Sequence, residues 1–463
     1  MSHVAASADD ADGRPTMHLP FGHLLRISLY WLGLTAIDAA VGLVIQNRIL
    51  FEGWVSEFEV GRALFLVGIA GAVVGIAIQP TVGALSDYTV SRWGRRKPYI
   101  VFGSIVDVVF LVGIAYSNTL LALAAFVMLL AVSTNIARGP FQGYVPDLVP
   151  APQVGLASAM VGMMQILGNV TGFAIATVAA IQTGIERDAQ EAAGLAPTAD
   201  YLPLALIAIA VVELVTMVSV VLRVGRGQPP KPREGRSWAS IAKATWATDI
   251  LQERSYVYLL ASRLFFLMGG GVLVNLVLAY LKQSHGLDQS EANSVNLVLL
   301  AIVVVANLVA IVPAARISDR IGRKPVIYAS CVIGAVGVGL AAIAPAVPLA
   351  LVGGALFGAS AGMFLSVDWA LMTDIIPKAS AGRYMGLSNV ATGASTPLSI
   401  AAGGLIVDAV NTAAGVTGPG PRAAYLVGVG FYLVAIVLFR PVVEPKRRTS
   451  VDALVSPETT PAD

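Results

Sequence analysis

Six ionisable residues sit where chemistry is expensive. Asp38, Asp107, Arg138, Glu213, Arg263 and Asp368 each fall within a long apolar run. A lone charge at the centre of a membrane helix costs about 2.5–3.5 kcal/mol on insertion scales. Such residues survive as ion pairs, proton carriers or substrate contacts. Asp38 has Trp31 seven residues before it and Gln46 eight after, so the three share roughly one helical face. Arg138 is flanked by Asn135 and Gln142, three before and four after, as a polar stripe. Asp38 reads as a coupling or substrate-binding carboxylate, or as the partner of an intramembrane cation. Arg138, near the inner end of its run, reads as a snorkelling cation, a substrate contact or the partner of a carboxylate, and Arg263, close to its helix start, reads as structural.

Uncharged polar residues extend this inventory. Gln165 and Asn169 lie four apart in the fifth apolar run, Asn275 in the seventh, Asn296 and Asn307 in the eighth and Asn389 in the eleventh. Amides and carboxylates pair with hydroxyl groups, and a Trp face covers the apolar side of a sugar ring, so Trp31 and Trp369 join the candidates. Buried amides also join helix to helix.

The elements that must hold these residues are helices. The chain is 56% hydrophobic and 13% charged, with a mean hydropathy of +0.76, far outside the soluble globular range. Spanning a bilayer takes about 20 apolar residues, and twelve runs qualify. They fall near 24–46, 60–85, 99–116, 119–141, 154–181, 201–222, 257–281, 293–315, 326–344, 348–372, 383–407 and 422–439. Arg48, Arg62, Arg187, Lys282 and Arg422 fall on one side, Arg138 and Arg263 inside helices, and the other 23 of the 30 Lys and Arg on the opposite side. By the positive-inside rule that side is cytoplasmic and holds both termini. Residues 1–23 read as an N-terminal tail and 24–222 as a six-helix bundle. Residues 223–256 read as a cytoplasmic linker with a surface helix around Trp238–Trp246, 257–440 as a second bundle and 441–463 as a disordered tail. Gln182–Asp200 reads as a polar outer loop.

The two bundles repeat. Pro98 and Pro325 are 227 residues apart (325 − 98), as are Asp147 and Asp374, and Pro150 and Pro377. Between the second and third runs lies Ser86-Asp87-Tyr88-Thr89-Val90-Ser91-Arg92-Trp93-Gly94-Arg95-Arg96-Lys97-Pro98, echoed as Ser318-Asp319-Arg320-Ile321-Gly322-Arg323-Lys324-Pro325. Pro98 and Pro325 suit a first helical turn, where a missing N–H costs nothing.

This doubled loop resembles the signature of the major facilitator superfamily. The longer first copy is similar to the form in plant sucrose carriers and the related glycoside–pentoside–hexuronide:cation symporters. Tyr88 and Ala315 depart from that pattern. The resemblance implies an all-α membrane protein, with twelve helices in two pseudo-symmetric six-helix bundles and substrate held midway between them. It implies that helices one, four, seven and ten line the cavity, which favours Asp38, Arg138, Arg263 and Asp368. Asp107 and Glu213, on outer helices three and six, read as gate or packing partners. Ser366-Val367-Asp368-Trp369 through Asp374, with Pro377 and Arg383, resembles the tenth helix and following loop of the same carriers, which makes Asp368 a coupling or sugar-contacting carboxylate. Asp147 belongs to a Pro-Asp-Leu that resembles their loop after helix four. Asp87, Arg95, Arg96, Asp147, Asp319, Arg323, Asp374 and Arg383 then form a conformational gate on the inner side. The resemblance breaks at Gly155-Leu156-Ala157-Ser158, where sucrose carriers place an arginine.

The implied activity is secondary transport of a small polar solute, a sugar or glycoside first, with a proton or sodium ion. The rivals are a proton-coupled effluxer of drugs or metabolites and a non-transporting sensor. A P-loop, a nucleophile elbow and a metal-ligand cluster are all missing from the sequence, and the one cysteine, Cys331, lies in an apolar run. No enzyme, cofactor, metal or nucleic-acid partner is expected. The partners expected are the solute, the cation and the lipid bilayer, with the chain a monomer in the cell membrane.

Overall fold

The computed structural model describes residues 18–245, 253–375 and 381–443; of these, the side chains of Trp369, Asp374, Arg383 and Asn389 are outside the description. Twelve helices are long and apolar enough to cross a membrane. We number them α1 (Phe21–Phe51), α2 (Val60–Ser86), α3 (Lys97–Ala115), α4 (Leu120–Leu148), α5 (Val154–Ala192) and α6 (Leu202–Arg223). The second set is α7 (Arg254–Asn275), α8 (Gln289–Ile321), α9 (Arg323–Ile343), α10 (Val347–Ile375), α11 (Ala381–Ala414) and α12 (Pro419–Phe439). Their outward faces carry bare aliphatic side chains such as Val73, Val109, Leu204 and Val309, as lipid requires. With no water to bind its polar groups, each backbone closes its hydrogen bonds on itself. Pro80, Pro140, Pro313 and Pro397 all lie inside helices.

Packing follows the sequence repeat. In the first lobe α1 packs on α5 and α6, α2 on α4, α3 on α4 and α6, and α5 on α6; in the second, α7 on α11 and α12, α8 on α10, α9 on α10 and α12, and α11 on α12. Each contact recurs six helices later. The lobes meet where α2 packs on α11 and α8 on α5. Close approach relies on small residues: a methyl on Gly168 or Gly172 of α5 would overlap the backbone of α1 at Leu32 and Ala36.

Two expectations need correction. The polar stretch after 182 is not all loop, because α5 runs on to Ala192. Gln182 bonds Glu186 one turn later, and Arg187 reaches back to Glu52 over 2.9 Å and to the Ala199 carbonyl, so this outer extension is tied down. The seventh run is not one helix: it breaks at Asn275 and resumes as Val277–Ala279 and a π-type turn, Tyr280–Ser284. The linker after α6 carries the expected helix. Its helix Trp238–Thr245 packs on α2, Arg233 stacks 4.7 Å over the Trp238 ring, and the Lys231 backbone N–H donates to the Asp87 carbonyl.

Lys97 and Lys324 were not singled out by sequence reasoning, yet they do equivalent work 227 residues apart. The Lys97 ammonium donates to the carbonyls of Val221 and Val224 at the end of α6, both over 2.7 Å. That of Lys324 donates to Arg440 and Val442 beyond α12, over 3.0 and 2.6 Å. A cation on orphan C-terminal carbonyls satisfies groups the helix cannot and complements its dipole. Lys97→Met therefore loses about 2 kcal/mol of stability, read as a lower midpoint of thermal unfolding in detergent.

Candidate functional site

Asp38 sits midway along α1, and Arg138 is near the end of the long part of α4. The Arg138 guanidinium donates to Asp38 Oδ2 over 2.6 Å and to the Leu34 carbonyl over 3.4 Å. The Asp38 side chain is 49% exposed and that of Arg138 18%. A carboxylate half open in mid-membrane opens onto a cavity rather than onto lipid, which could not solvate it. Trp31, two turns earlier on α1, lies 5.7 Å from Phe141 on α4, in an aromatic cluster with Tyr30 and Tyr144. Gln142, Gln165 and Asn169 are partly or fully exposed. Asn169 is tied to the Gln165 carbonyl, and the Thr35 hydroxyl donates to that same carbonyl, joining α1 to α5.

The second lobe carries a matching pair. Arg263 on α7 bonds Asp368 on α10, the counterpart of the α1–α4 contact with its charges exchanged between helices. Arg263 Nε also donates to Thr392 of α11 over 3.2 Å. Asp368 is fully buried, so in this conformation it is enclosed and open to no solute. Asn275 bonds the Gly271 carbonyl and Ser399 of α11, which makes it a joint between helices rather than a cavity group. Trp369 and Asn389 lie outside the described side chains.

The first basic loop forms a buried ionic cluster. Arg95 NH2 donates to both oxygens of Asp147 over 2.7 Å, and Arg96 Nε to Oδ2 over 2.8 Å. Arg96 also reaches Asp87 over 3.1 Å and the Pro140 carbonyl over 2.8 Å, and Lys231 of the linker reaches Asp87 over 3.2 Å. These contacts tie the α2–α3 loop, the end of α4 and the linker together inside one lobe. Gly94 takes φ +100°, open to glycine at little strain, and a methyl on Gly143 would overlap the Arg96 guanidinium. Asp319 ends α8 and Arg323 opens α9 after Gly322 at φ +93°. Asp374 and Arg383 lie outside the described side chains.

At the opposite end, hydrogen bonds join the lobes directly. Asp408 of α11 accepts from the first N–H groups of α2, Gly61 over 2.8 Å and Arg62 over 2.6 Å. Asn47 exchanges hydrogen bonds with Asn293 over 2.8 and 3.1 Å and accepts from Gln289. Lys282 reaches the Leu50 carbonyl, and Gln283 the Glu57 carbonyl. Sequence reasoning missed this closure, because each member is an ordinary polar residue near a helix end.

Comparison with known proteins agrees with this architecture. The model of the Major Facilitator Superfamily matches residues 23–288 and again 259–457. The chain belongs to the major facilitator superfamily. It is thus a multi-pass membrane carrier rather than an enzyme. Curated relatives include a general alpha-glucoside permease of Schizosaccharomyces pombe, 32% identical over 167 residues. The sucrose transport protein SUC4 of Arabidopsis thaliana is 24% identical over 188. These matches cover 32% and 36% of this chain, and 30% and 37% of the relatives, so the similarity spans about a third of their length. Among solved structures, a bacterial homologue of the human lysosomal transporter Spinster superposes with a TM-score of 0.69 at 14% identity, covering 90% of this chain and 95% of that one. A D-xylose–proton symporter gives 0.67 at 19%, covering 92% and 98%.

Removing Asp147 takes away the carboxylate that two buried guanidinium groups share and leaves them only Asp87, 3.1 Å from Arg96, which costs about 3 kcal/mol. Asp147→Ala is expected to unfold well below the parent temperature in detergent, and Asp147→Glu to recover part of the loss.

Proposed function

We propose that this carrier moves a small polar solute, a sugar or glycoside first, by alternating access, with a proton as the coupling ion. The observation that carries the reading is the Asp38–Arg138 pair, inside the spanning helices α1 and α4, with its carboxylate half exposed. A carboxylate there can take a proton from water and give up its hold on Arg138, and solute hydroxyls are the natural replacement ligands for the freed guanidinium. Trp31, Gln142, Gln165 and Asn169, on α1, α4 and α5, are the further solute contacts in this reading. The sugar-carrier relatives and the D-xylose–proton symporter fold support the substrate class and the ion.

With the basic loops facing the cytoplasm, the cross-lobe hydrogen bonds lie outside, and the conformation is one that opens inward. In this reading the chain sits in the cell membrane with both termini inside. Asp408 and the Asn47–Asn293 exchange then act as the outer closure. Solute and proton shift the lobes only by their differential affinity for the two states.

In proteoliposomes holding the purified carrier, radiolabelled disaccharides and glycosides accumulate when a proton gradient is imposed. Asp38→Asn is expected to lower gradient-driven accumulation at least tenfold while counterflow exchange persists. Wild-type accumulation by that variant sinks the assignment. For the outer closure, Asp408→Asn weakens a cap worth about 1–2 kcal/mol, shifting the lobes roughly 5–30-fold towards outer opening. Labelling of a cysteine at Val67, in a Cys331→Ser background, by an impermeant maleimide measures it, and an unchanged labelling rate removes Asp408 from the closure.

A further inference from the structure

Behind the Asp38–Arg138 pair, away from the cavity, two further carboxyl groups meet. Asp107 on α3 and Glu213 on α6 are fully buried, and they lie within hydrogen-bonding reach of one another. One oxygen of each is served by hydroxyls. Ser133 donates to Asp107 Oδ1, and Thr134 donates to the same oxygen over 3.0 Å. The Tyr30 hydroxyl donates to Glu213 Oε1 over 3.3 Å and sits 2.5 Å from Ser104 Oγ. The other two oxygens, Asp107 Oδ2 and Glu213 Oε2, are buried and meet no N–H or O–H donor among the described residues.

Three hydroxyl donors aimed at the outer oxygens mark a negative charge. Two carboxylates in contact, with no cation in an ion pair with either among the described residues, would repel strongly in so dry a place. One proton between them removes the repulsion and makes a charge-assisted hydrogen bond of it. The site then holds one proton and one negative charge.

The surrounding elements supply one cation. Thr134, which donates to Asp107, and Arg138 are one turn apart on α4, so Arg138 is the cation nearest the pair along that helix. Its Nε is buried without an acceptor. Among the described residues, Tyr30 faces the pair from α1, Ser104 from α3, and Ser133, Thr134 and Arg138 from α4. The fifth helix, packed on α6, carries no ionisable residue between Val154 and Gln182. Arg138 therefore stands between two anions, one open to the cavity and one sealed behind it.

We propose that Asp107 and Glu213 share one proton and form a buried anionic site that keeps Arg138 neutralised whenever Asp38 is protonated. Protonating Asp38 would otherwise strand a guanidinium in the membrane. Asp107 and Glu213 are positioning residues in this scheme: they touch neither solute nor transported proton, and they set how readily the cavity carboxylate gives up its cation. The shared proton stands on its own geometry; its effect on transport rests on the reading of Asp38 as the coupling carboxylate.

Two measurements on the purified full-length carrier separate these layers. Infrared difference spectra, parent against Asp107→Asn and parent against Glu213→Gln, are expected to show loss of a protonated-carboxyl stretch at neutral pH, in Asp38→Asn protein as well. No such loss with either variant overturns the shared proton, whatever Asp38 does. The pH profile of gradient-driven uptake is then compared across variants. Each single amide keeps one negative charge, whereas the Asp107→Asn/Glu213→Gln protein keeps none. In the double variant Arg138 pulls harder on Asp38, so the pH of half-maximal transport is expected to fall by about one unit, and each single variant is expected to shift less. An unmoved double variant that still transports leaves the pair a structural joint and overturns its role at Arg138. Loss of coupling at Asp38 itself is read from Asp38→Asn, so failure of that assignment stays distinct from failure of the shared proton.

Discussion

Lipid tolerates no solitary charge, and that constraint orders the interior of this carrier. The six ionisable residues buried in apolar sequence resolve into three pairs: Asp38 with Arg138, Arg263 with Asp368, and Asp107 with Glu213. Each pair closes inside one lobe. Two are opposite charges joining the first and fourth helices of a lobe, and the third is a pair of acids joining α3 and α6. Because the pairs do not cross between lobes, either lobe can move as a unit without pulling a charge out of its partner's reach. The pairs differ in exposure, with Asp38 half open and Asp368 sealed.

The surface obeys the same physics with water in place of lipid. At the basic-loop end, Arg95 and Arg96 converge on Asp147 and Asp87, and Lys97 caps the end of α6. That cluster rigidifies a lobe. At the other end the interactions are weaker and run between lobes: amide exchanges at Asn47, and a carboxylate, Asp408, on the bare N–H groups that open α2. A carrier must break and remake its closures in each cycle, and hydrogen bonds of modest strength at helix ends suit that better than buried ion pairs.

Helix number, lobe duplication and the membrane setting were legible in the sequence because they depend on run length and on a repeated motif. The twelve apolar runs became twelve spans, and the repeat between Pro98 and Pro325 became the recurrence of the main packing contacts of each lobe six helices on. Helix ends were less legible: α5 continues through charged residues to Ala192 because Arg187 finds Glu52 and Ala199, partners distant in sequence. Asp107 and Glu213 looked peripheral while each was judged by its own helix, since only the packing of α3 on α6 brings the two acids together.

The sequence by itself determined which residues could not remain unpaired, because the penalty for charge in lipid follows from composition alone. It could not determine the partners. Asp38 and Arg138 are a hundred positions apart, Arg263 and Asp368 about as far, and nothing periodic links Asp408 to Gly61. Only the tertiary structure chose them, because pairing needs helices to pack at a given rotation and depth, and those depend on small residues such as Gly168 and Gly172 that let one backbone settle on another.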